Sequence, residues 1–329
     1  MLRQLYRGSI PLSLVLRSLS SAAPEPSVSV SKEALMKLRK RTGYSYVNCR
    51  KALVKFGADN ITEAEKWLRE QAKAEGWAKA AKLGKRATTQ GLVAVKSTGK
   101  IAAIVELSCE TDFVARGENF KKLLEELVES ALNYAQKHAP ESVPNQIVSL
   151  DLDLQSLVDV NGTSIQELVA MAVGELGENI TVRNARVFYA PSNSSLYSAS
   201  HPKESSTSVS MGKFVSVVAL KRAKEEGLFP TEKLAAQLCQ HVIGMRSETL
   251  GEPPEERKLE EEKKQQIKED RDELNDFEDA QTTTIDEDET ALLRQAFMLN
   301  PSQTVYEYVK GHQAEIVDFV RSELGDAAE

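Results

Sequence analysis

Residues on which covalent cross-links and metal sites depend are scarce in this sequence. The 329 residues include three cysteines and four histidines. Cys49, Cys109 and Cys239 form neither a Cys-x-x-Cys pair nor the Cys/His spacing of a zinc site, so a disulfide framework and structural zinc are both poorly supported. We expect the three thiols to be small, buried, apolar residues, and we expect no bound metal.

Sequence motifs of catalysis are absent as well. The chain contains no P-loop, no Gly-x-Gly-x-x-Gly that opens a helix, no His-Glu-x-x-His and no nucleophile motif. The histidines at positions 138, 201, 241 and 312 lie far apart, and an isolated histidine is more often a surface or hydrogen-bonded residue than a general base. Catalytic groups can converge from distant parts of a chain, so an enzyme stays a distant alternative. Binding is the default function, with no catalytic residue and no cofactor expected.

The first residues of the chain lack acidic side chains. No Asp or Glu precedes Glu25, and three arginines stand among Leu, Ser and Ile, which is the composition of a mitochondrial transit peptide, predicted at 1–24. A secretory signal is the alternative, because residues 10–16 form a short apolar core; Pro11 interrupts that core and Arg17 follows it. No later apolar run approaches the length needed to span a bilayer, so we expect a soluble mature chain without a membrane partner.

Positive charge is in deficit in the mature chain. The formal net charge is −7, and it becomes −10 without the three leader arginines. An acidic chain is a poor general nucleic-acid binder, because phosphate contacts need a basic face. The predicted partner is therefore a protein.

Residues 31–72 predict three short amphipathic helices. Ser31 is a candidate N-cap of the first helix, Gly43 ends it, and Thr62 with Glu65 forms a capping box for the third. Helices of this size make a small bundle. The segment that follows, 73–90, is rich in Ala, Lys and Gly; we predict a solvated tether, with a basic contact to an acidic partner or RNA as the alternative.

A β-hairpin and a long helix follow. The apolar runs 91–96 and 100–107 are separated by Ser-Thr-Gly, which predicts a hairpin, and an amphipathic helix extends to about His138. Between them lies a strand-to-helix connection in which Phe113 belongs to neither pattern. An aromatic in such a place either plugs its own core or enters another protein's pocket, and the former is the commoner use.

The second half predicts a related α+β unit. Ser164 and Glu167 form a capping box for a helix that Gly177 ends; a strand at 180–189 and a Ser-rich loop at 191–210 follow. Residues 211–218 then echo 99–105. We predict an α+β fold whose core has two related subdomains lying side by side, each with a small antiparallel sheet flanked by helices.

The end of the chain predicts helices and a charged connector. A helix at 234–245 precedes 251–289, which is dominated by Glu, Lys, Asp and Gln and predicts a solvated helix or partly disordered connector, a charged docking arm being the alternative. Ser302 is a candidate cap for a terminal helix with Val305, Val309, Ile316, Phe319 and Val320 inward. The predicted domains are 25–80 for the bundle and start of the linker, 81–190 and 191–290 for the two core subdomains, and 291–329 for a C-terminal helical module.

Six short blocks of the chain are distinctive together: 38–43 (LRKRTG), 49–53 (CRKAL), 64–69 (AEKWLR), 111–114 (TDFV), 177–180 (GENI) and 293–297 (LRQAF). In this order they resemble the translation elongation factor Ts family, the nucleotide-exchange factors of elongation factor Tu. The resemblance spans about residues 31–325 and, with the leader, implies the mitochondrial form and a location in the mitochondrial matrix. It implies that the N-terminal bundle is ubiquitin-associated-like (UBA-like) and docks on the partner's G domain.

The resemblance also implies site residues and a mechanism. It implies that Phe113 is pushed between helices of the G domain of mitochondrial elongation factor Tu, shifting the segment that supports Mg²⁺ and the nucleotide phosphates, while Asp112 holds the loop and contacts the same region. No direct nucleotide binding by this chain is expected. A ribosome-associated or protein-binding structural factor that reuses the small helical domain is the alternative. The implied partner-binding residues are Thr111, Asp112, Phe113, Val114, Leu38, Arg39, Thr42 and Arg50.

Overall fold

The computed structural model describes residues 30–42, 44, 46–140, 143–204, 209–222, 229–254 and 288–326. The predicted transit peptide and most of the acidic connector lie outside these residues. Contacts divide the chain into two compact units, with the boundary between Glu70 and Gln71. In the described ranges, no helix is long and apolar enough to cross a membrane.

The described elements mix helices with short strands. The helices are α1 (Lys32–Thr42), α2 (Tyr46–Phe56), α3 (Ile61–Leu83), α4 (Asp112–Arg116), α5 (Glu118–Lys137), α6 (Ile165–Leu176), α7 (Thr231–Gly244) and α8 (Val305–Gly311). The strands are β1 (Gln90–Ser97), β2 (Ile101–Cys109), β3 (Val148–Asp151), β4 (Ile180–Tyr189), β5 (Ser195–His201), β6 (Ser210–Gly212), β7 (Phe214–Arg222), β8 (Ala296–Phe297), β9 (Asn300–Thr304) and β10 (Ala314–Glu323).

The first unit contains the three predicted helices. Its core is formed by apolar residues of α1, α2 and the start of α3, with Leu38 and Cys49 fully buried. The Ser31 hydroxyl accepts a hydrogen bond from the backbone N–H of Ala34, as expected of an N-cap. The prediction that Thr62 caps the third helix is wrong, because α3 already begins at Ile61 and Thr62 lies in its first turn.

The first sheet of the second unit confirms the predicted hairpin. Its five antiparallel strands have the order β3-β4-β2-β1-β6, and β1 pairs with β2 from Gln90 opposite Cys109 to Ser97 opposite Ala102. Helix α5 packs on this sheet through fully buried side chains at helical spacing: Phe120, Leu124 and Val128.

The second sheet lies on the other face of the first. Its antiparallel strands have the order β10-β7-β5, and α7 packs on its outer face through Leu234, Leu238 and Val242. Alternate residues of β2 and β7, such as Ile104 and Val217, share one apolar cluster between the two sheets. The layers are therefore helix, sheet, sheet and helix, with the sheets packed face to face rather than side by side. This packing explains why β2 and β7 are apolar on both faces.

Two predictions for the C-terminal half are wrong. The Ser-rich loop contains β5, which pairs with β7 along its whole length. The residues predicted to form one long terminal helix form instead the short α8 followed by the strand β10. The N-cap of α8 is Thr304, in a capping box with Glu307, whereas the predicted cap Ser302 lies on β9. The β-branched and aromatic residues between Ile316 and Val320 fit a strand as well as a helix. Pairing with β7 selects the strand, so the C-terminal segment completes the second sheet.

The predicted tether is wrong for residues 73–83, which continue α3. Ala and Lys favour helix, and the glycine in this stretch serves close packing. A Cβ added to Gly76 would lie 2.5 Å from the carbonyl oxygen of Ala170 on α6, and one added to Gly174 would lie 2.9 Å from the Cα of Gly76. The ammonium of Lys73 is 2.6 Å from a carboxylate oxygen of Glu167, also on α6. The end of α3 is thus part of the second unit's packing.

Candidate functional site: an exposed phenylalanine turn

Phe113 stands on the short helix α4, between the end of β2 and the start of α5. Its side chain is 84% exposed, whereas Ala115 and Phe120 are buried. The prediction that Phe113 plugs its own core is wrong, because the core beside this turn is already filled by α5 and the sheet. A side chain this exposed makes few contacts within its own chain and is accessible to another molecule.

Thr111 fixes the start of α4. It is the N-cap, with extended backbone angles of φ −123° and ψ 154°, and its hydroxyl oxygen accepts from the backbone N–H of Val114 at 3.4 Å. Its own two donors both go to one carboxylate. The backbone N–H donates to Oε2 of Glu178 at 3.0 Å, and the hydroxyl donates to Oε1 at 2.6 Å.

The segment that supplies Glu178 is tied to the same strand end. Gly177 has a left-handed backbone, φ 77°, which turns the chain from α6 toward β4. The backbone N–H of Asn179 donates to Oε1 of Glu110 at 2.7 Å, and the Asn179 side-chain amide donates to the backbone oxygen of Arg86 at 2.7 Å. Sequence reasoning found both the TDFV and the GENI blocks but missed that they touch.

Asp112 is accessible rather than built into the turn. Its side chain is 46% exposed, and its carboxylate lies 3.4 Å from the guanidinium of Arg116, which is 73% exposed. Such an exposed pair, four residues apart on a helix, contributes little to stability. Hydrogen bonds from Thr111 to Glu178, together with the cap on Val114, hold the start of this turn.

A cavity of about 650 Å³ opens beside Phe113. Leu92 and Ala115 give it apolar walls, while Glu204 and Lys213 give it charged ones. No group of His, Cys, Asp and Glu that could hold a metal is found among the residues described. The arrangement offers an apolar ring and mixed polar surface to a partner.

Two buried groups, Cys109 beside the turn and His241 on α7, are poor reactants. Burial raises the pKa of the Cys109 thiol to about 11, and this thiol donates to the backbone oxygen of Thr111 at 3.1 Å. Burial lowers the pKa of His241 to about 4, and its ring is hydrogen bonded on both nitrogens. Neither has the exposure or the pKa of a nucleophile or general base at neutral pH.

The partner-binding residues predicted in the first unit differ in how far their side chains are exposed. Leu38 is fully buried in the core, so the prediction that its side chain binds a partner is wrong. The Thr42 hydroxyl donates to the backbone oxygen of Leu38 at 2.7 Å, whereas Arg39 and Arg50 are exposed. Sequence reasoning also missed apolar side chains that this unit exposes to about half: Met36, Tyr46, Val47 and Val54.

Comparison with known proteins identifies the family. Residues 16–78 match the family model "Elongation factor Ts, mitochondrial, N-terminal", and residues 110–326 match "Elongation factor TS". The chain is 49% identical to "Elongation factor Ts, mitochondrial" of Brugia malayi, over 98% of this chain and 96% of that protein. It is 49% identical to the protein of the same name in Caenorhabditis elegans, over 96% and 98%, and 41% identical to that of Branchiostoma floridae, over 91% of each. The chain therefore belongs to the elongation factor Ts family.

Proposed function

We propose that this chain promotes GDP release from mitochondrial elongation factor Tu, in the mitochondrial matrix, by inserting the Asp112–Phe113 turn into the partner's G domain. Family membership supports the partner and the exchange role, and the mitochondrial names of the relatives support the compartment. Exchange by contact makes and breaks no covalent bond. The observation that carries the mechanism is an exposed aromatic ring on a turn whose backbone is fixed from both sides.

Linkage explains how such a turn can expel a nucleotide. A factor that binds the nucleotide-free partner better than the nucleotide-bound one weakens nucleotide binding by the same ratio. A rigid ring that fills a pocket at the centre of an interface can contribute about 2 kcal/mol or more. Because the turn is already ordered in the free chain, little entropy is lost when Phe113 inserts.

The remaining contacts are proposed around this ring. The Asp112 side chain is partly exposed beside Phe113 and can reach the same surface, while Thr111 and Val114 are half-buried and support the turn. In the first unit, we propose that Arg39, Thr42 and Arg50 contribute to docking. Leu38 supports their helix from within the core.

The test is GDP release measured with the variant Phe113→Ala. Unassisted and factor-assisted loss of labelled GDP from mitochondrial elongation factor Tu are compared, and thermal unfolding is recorded on the same preparation. We expect exchange to fall at least tenfold, on the order of a lost interface anchor. The melting temperature should stay unchanged, because the ring is 84% exposed.

Two further variants serve as controls. Val160 is 78% exposed on the same unit, so Val160→Ala removes exposed apolar surface elsewhere and should leave exchange unchanged. Phe120→Ala empties a core position and should lower stability by roughly 3–5 kcal/mol. A large loss of stability in Phe113→Ala with normal release per folded molecule contradicts insertion. A wild-type chain that does not accelerate GDP release from elongation factor Tu favours the structural-factor alternative.

A further inference from the structure

We infer that Glu178 is a positioning residue of the exchange step: its carboxylate holds Thr111, and Thr111 holds the helix that presents Phe113. This inference rests on the proposed function. Glu178 lies 65 residues from Phe113 in the chain, and in this inference it acts through Thr111.

The contacts form one continuous path. Both oxygens of Glu178 accept from Thr111, at 2.6 and 3.0 Å, so they fix its backbone and its side chain together. The Thr111 hydroxyl then caps α4 through the N–H of Val114. Because Phe113 lies between these two capping positions, a rotation of Thr111 would redirect the ring.

The short helix needs this support. A helix of five residues forms too few internal hydrogen bonds to be stable alone, and a ring that is 84% exposed adds little packing within the chain. Hydrogen bonds to a charged acceptor are stronger than neutral ones. The carboxylate of Glu178 therefore supplies order that the sequence of α4 lacks.

Glu178 is itself held in register. Strand β2 pairs with β4 so that Cys109 lies opposite Ile180, which places 110–111 beside 178–179. The hydrogen bond from the Asn179 backbone N–H to the Glu110 carboxylate extends this pairing by one residue, up to Glu178. The position of Glu178 thus follows from the sheet rather than from a flexible side chain alone.

The test compares Glu178→Ala with the conservative variant Glu178→Gln. Removing the carboxylate should lower exchange at least tenfold, because two charge-assisted hydrogen bonds that order the turn are lost. Glutamine should restore most of it, because its oxygen accepts from the Thr111 N–H and its amide can donate to the hydroxyl. Thr111→Val should resemble the alanine variant, and Thr111→Ser should resemble wild type.

A double-mutant cycle separates positioning from general stability. If Glu178 acts through the ring, Glu178→Ala adds no further loss in a Phe113→Ala background. The inference would be overturned if Glu178→Ala lowered the exchange rate by the same factor with Phe113 present as with Phe113→Ala. Wild-type exchange by Glu178→Ala would overturn it as well.

Amide hydrogen exchange of residues 111–116 in the free chain tests the clamp without the partner. Protection should fall in Glu178→Ala and return in Glu178→Gln while the melting temperature is unchanged. Unchanged protection in Glu178→Ala would overturn the clamp. A wild-type chain without exchange activity overturns the proposed function alone, since protection still decides whether Glu178 orders the turn.

Discussion

His241 is a fully buried imidazole whose two ring nitrogens both have partners. The backbone N–H of Met298 donates to Nδ1 at 3.1 Å, so the ring proton resides on Nε2 and is donated to the side-chain oxygen of Gln295, also at 3.1 Å. The Ser247 hydroxyl donates to the same oxygen, and the Gln295 amide donates to the backbone oxygen of Met245. Two of the family blocks thus supply hydrogen bonds in different places. Glu178 of the GENI block accepts from Thr111 at the exposed turn, whereas Gln295 of the LRQAF block bonds to His241 in the core.

This network predicts a loss of stability in mild acid. Burial lowers the pKa of His241 from 6.5 to about 4. Between pH 6.5 and 4, His241 is therefore protonated in the unfolded chain and neutral in the folded chain. Stability from this residue is present above pH 6.5 and is lost as the pH falls toward 4. The free energy of unfolding should drop by about 2 kcal/mol from this residue between pH 7.5 and 5.

Denaturant unfolding at several pH values measures this effect, and His241→Gln is the matched control. The variant has no titrating ring, so its stability should change less over the same interval, whatever its absolute value. An imidazole NMR titration of the folded chain gives the pKa directly; a His241 titration near pH 6.5 contradicts the prediction.

At the scale of elements, the crossing of α3 and α6 depends on two glycines. In Gly76→Ala, the new methyl group would lie 2.5 Å from the backbone oxygen of Ala170, which cannot rotate away. We expect this overpacking to destabilise the second unit by about 1–3 kcal/mol, measured by denaturant unfolding. Exchange should fall as well, because α6 leads directly into the Glu178 clamp.

Gly311→Ala is the control for this substitution. A Cβ at Gly311 has no atom within 4 Å, and the residue ends α8, so the change should be neutral or slightly stabilising. Equal stabilities of the two alanine variants would show that the helices can separate without cost.

Local signals predicted the elements whose determinants are local. The β1–β2 hairpin, α5, and the ends of α6 at Ser164 and Gly177 follow from periodicity, capping and turn chemistry within a few residues. β10 could not be predicted in the same way, because its partner β7 lies about 100 residues away and its apolar pattern also fits a helix. The contact between Glu178 and Thr111 depends on the register of β2 with β4, which no local pattern specifies.

The candidate site was predictable only in part. The resemblance pointed to Phe113, while the physical argument from burial favoured the wrong environment for it. Leu38 shows the opposite error, since a residue of a family block was taken for a contact although the helix turns it inward. A shared motif contains both packing and binding residues, and only the fold separates them.

At the scale of the whole molecule, the first unit should supply affinity rather than the exchange step. Residues 30–70 contain ten Lys and Arg against five Asp and Glu, in a chain whose net charge is −7. A chain that begins at Gln71 keeps the α3–α6 crossing and the whole Phe113 turn with Glu178. We expect it to dissociate faster from the partner, to lose much of the salt dependence of binding, and to retain exchange at saturating concentration.

Binding and GDP release measured at low and high salt test this expectation. A chain that begins at Gly84 is the comparison, because it also loses Gly76 and should be less stable. Complete loss of exchange by the Gln71 chain, while bound at saturation, contradicts a docking role for the first unit.

The pairing of β10 with β7 has a consequence for the order in which the chain folds. Strand β7 is finished by Arg222, but the strand that covers one of its edges is not synthesised until Glu323. Domains otherwise fold as the chain emerges, from the N-terminus onward. The second sheet therefore cannot be completed until β10 has been synthesised. Until then, β7 presents an unpaired edge of apolar strand, which is the kind of surface on which nascent chains aggregate. A stop codon that precedes β10 would therefore leave β7 without the strand that covers this edge.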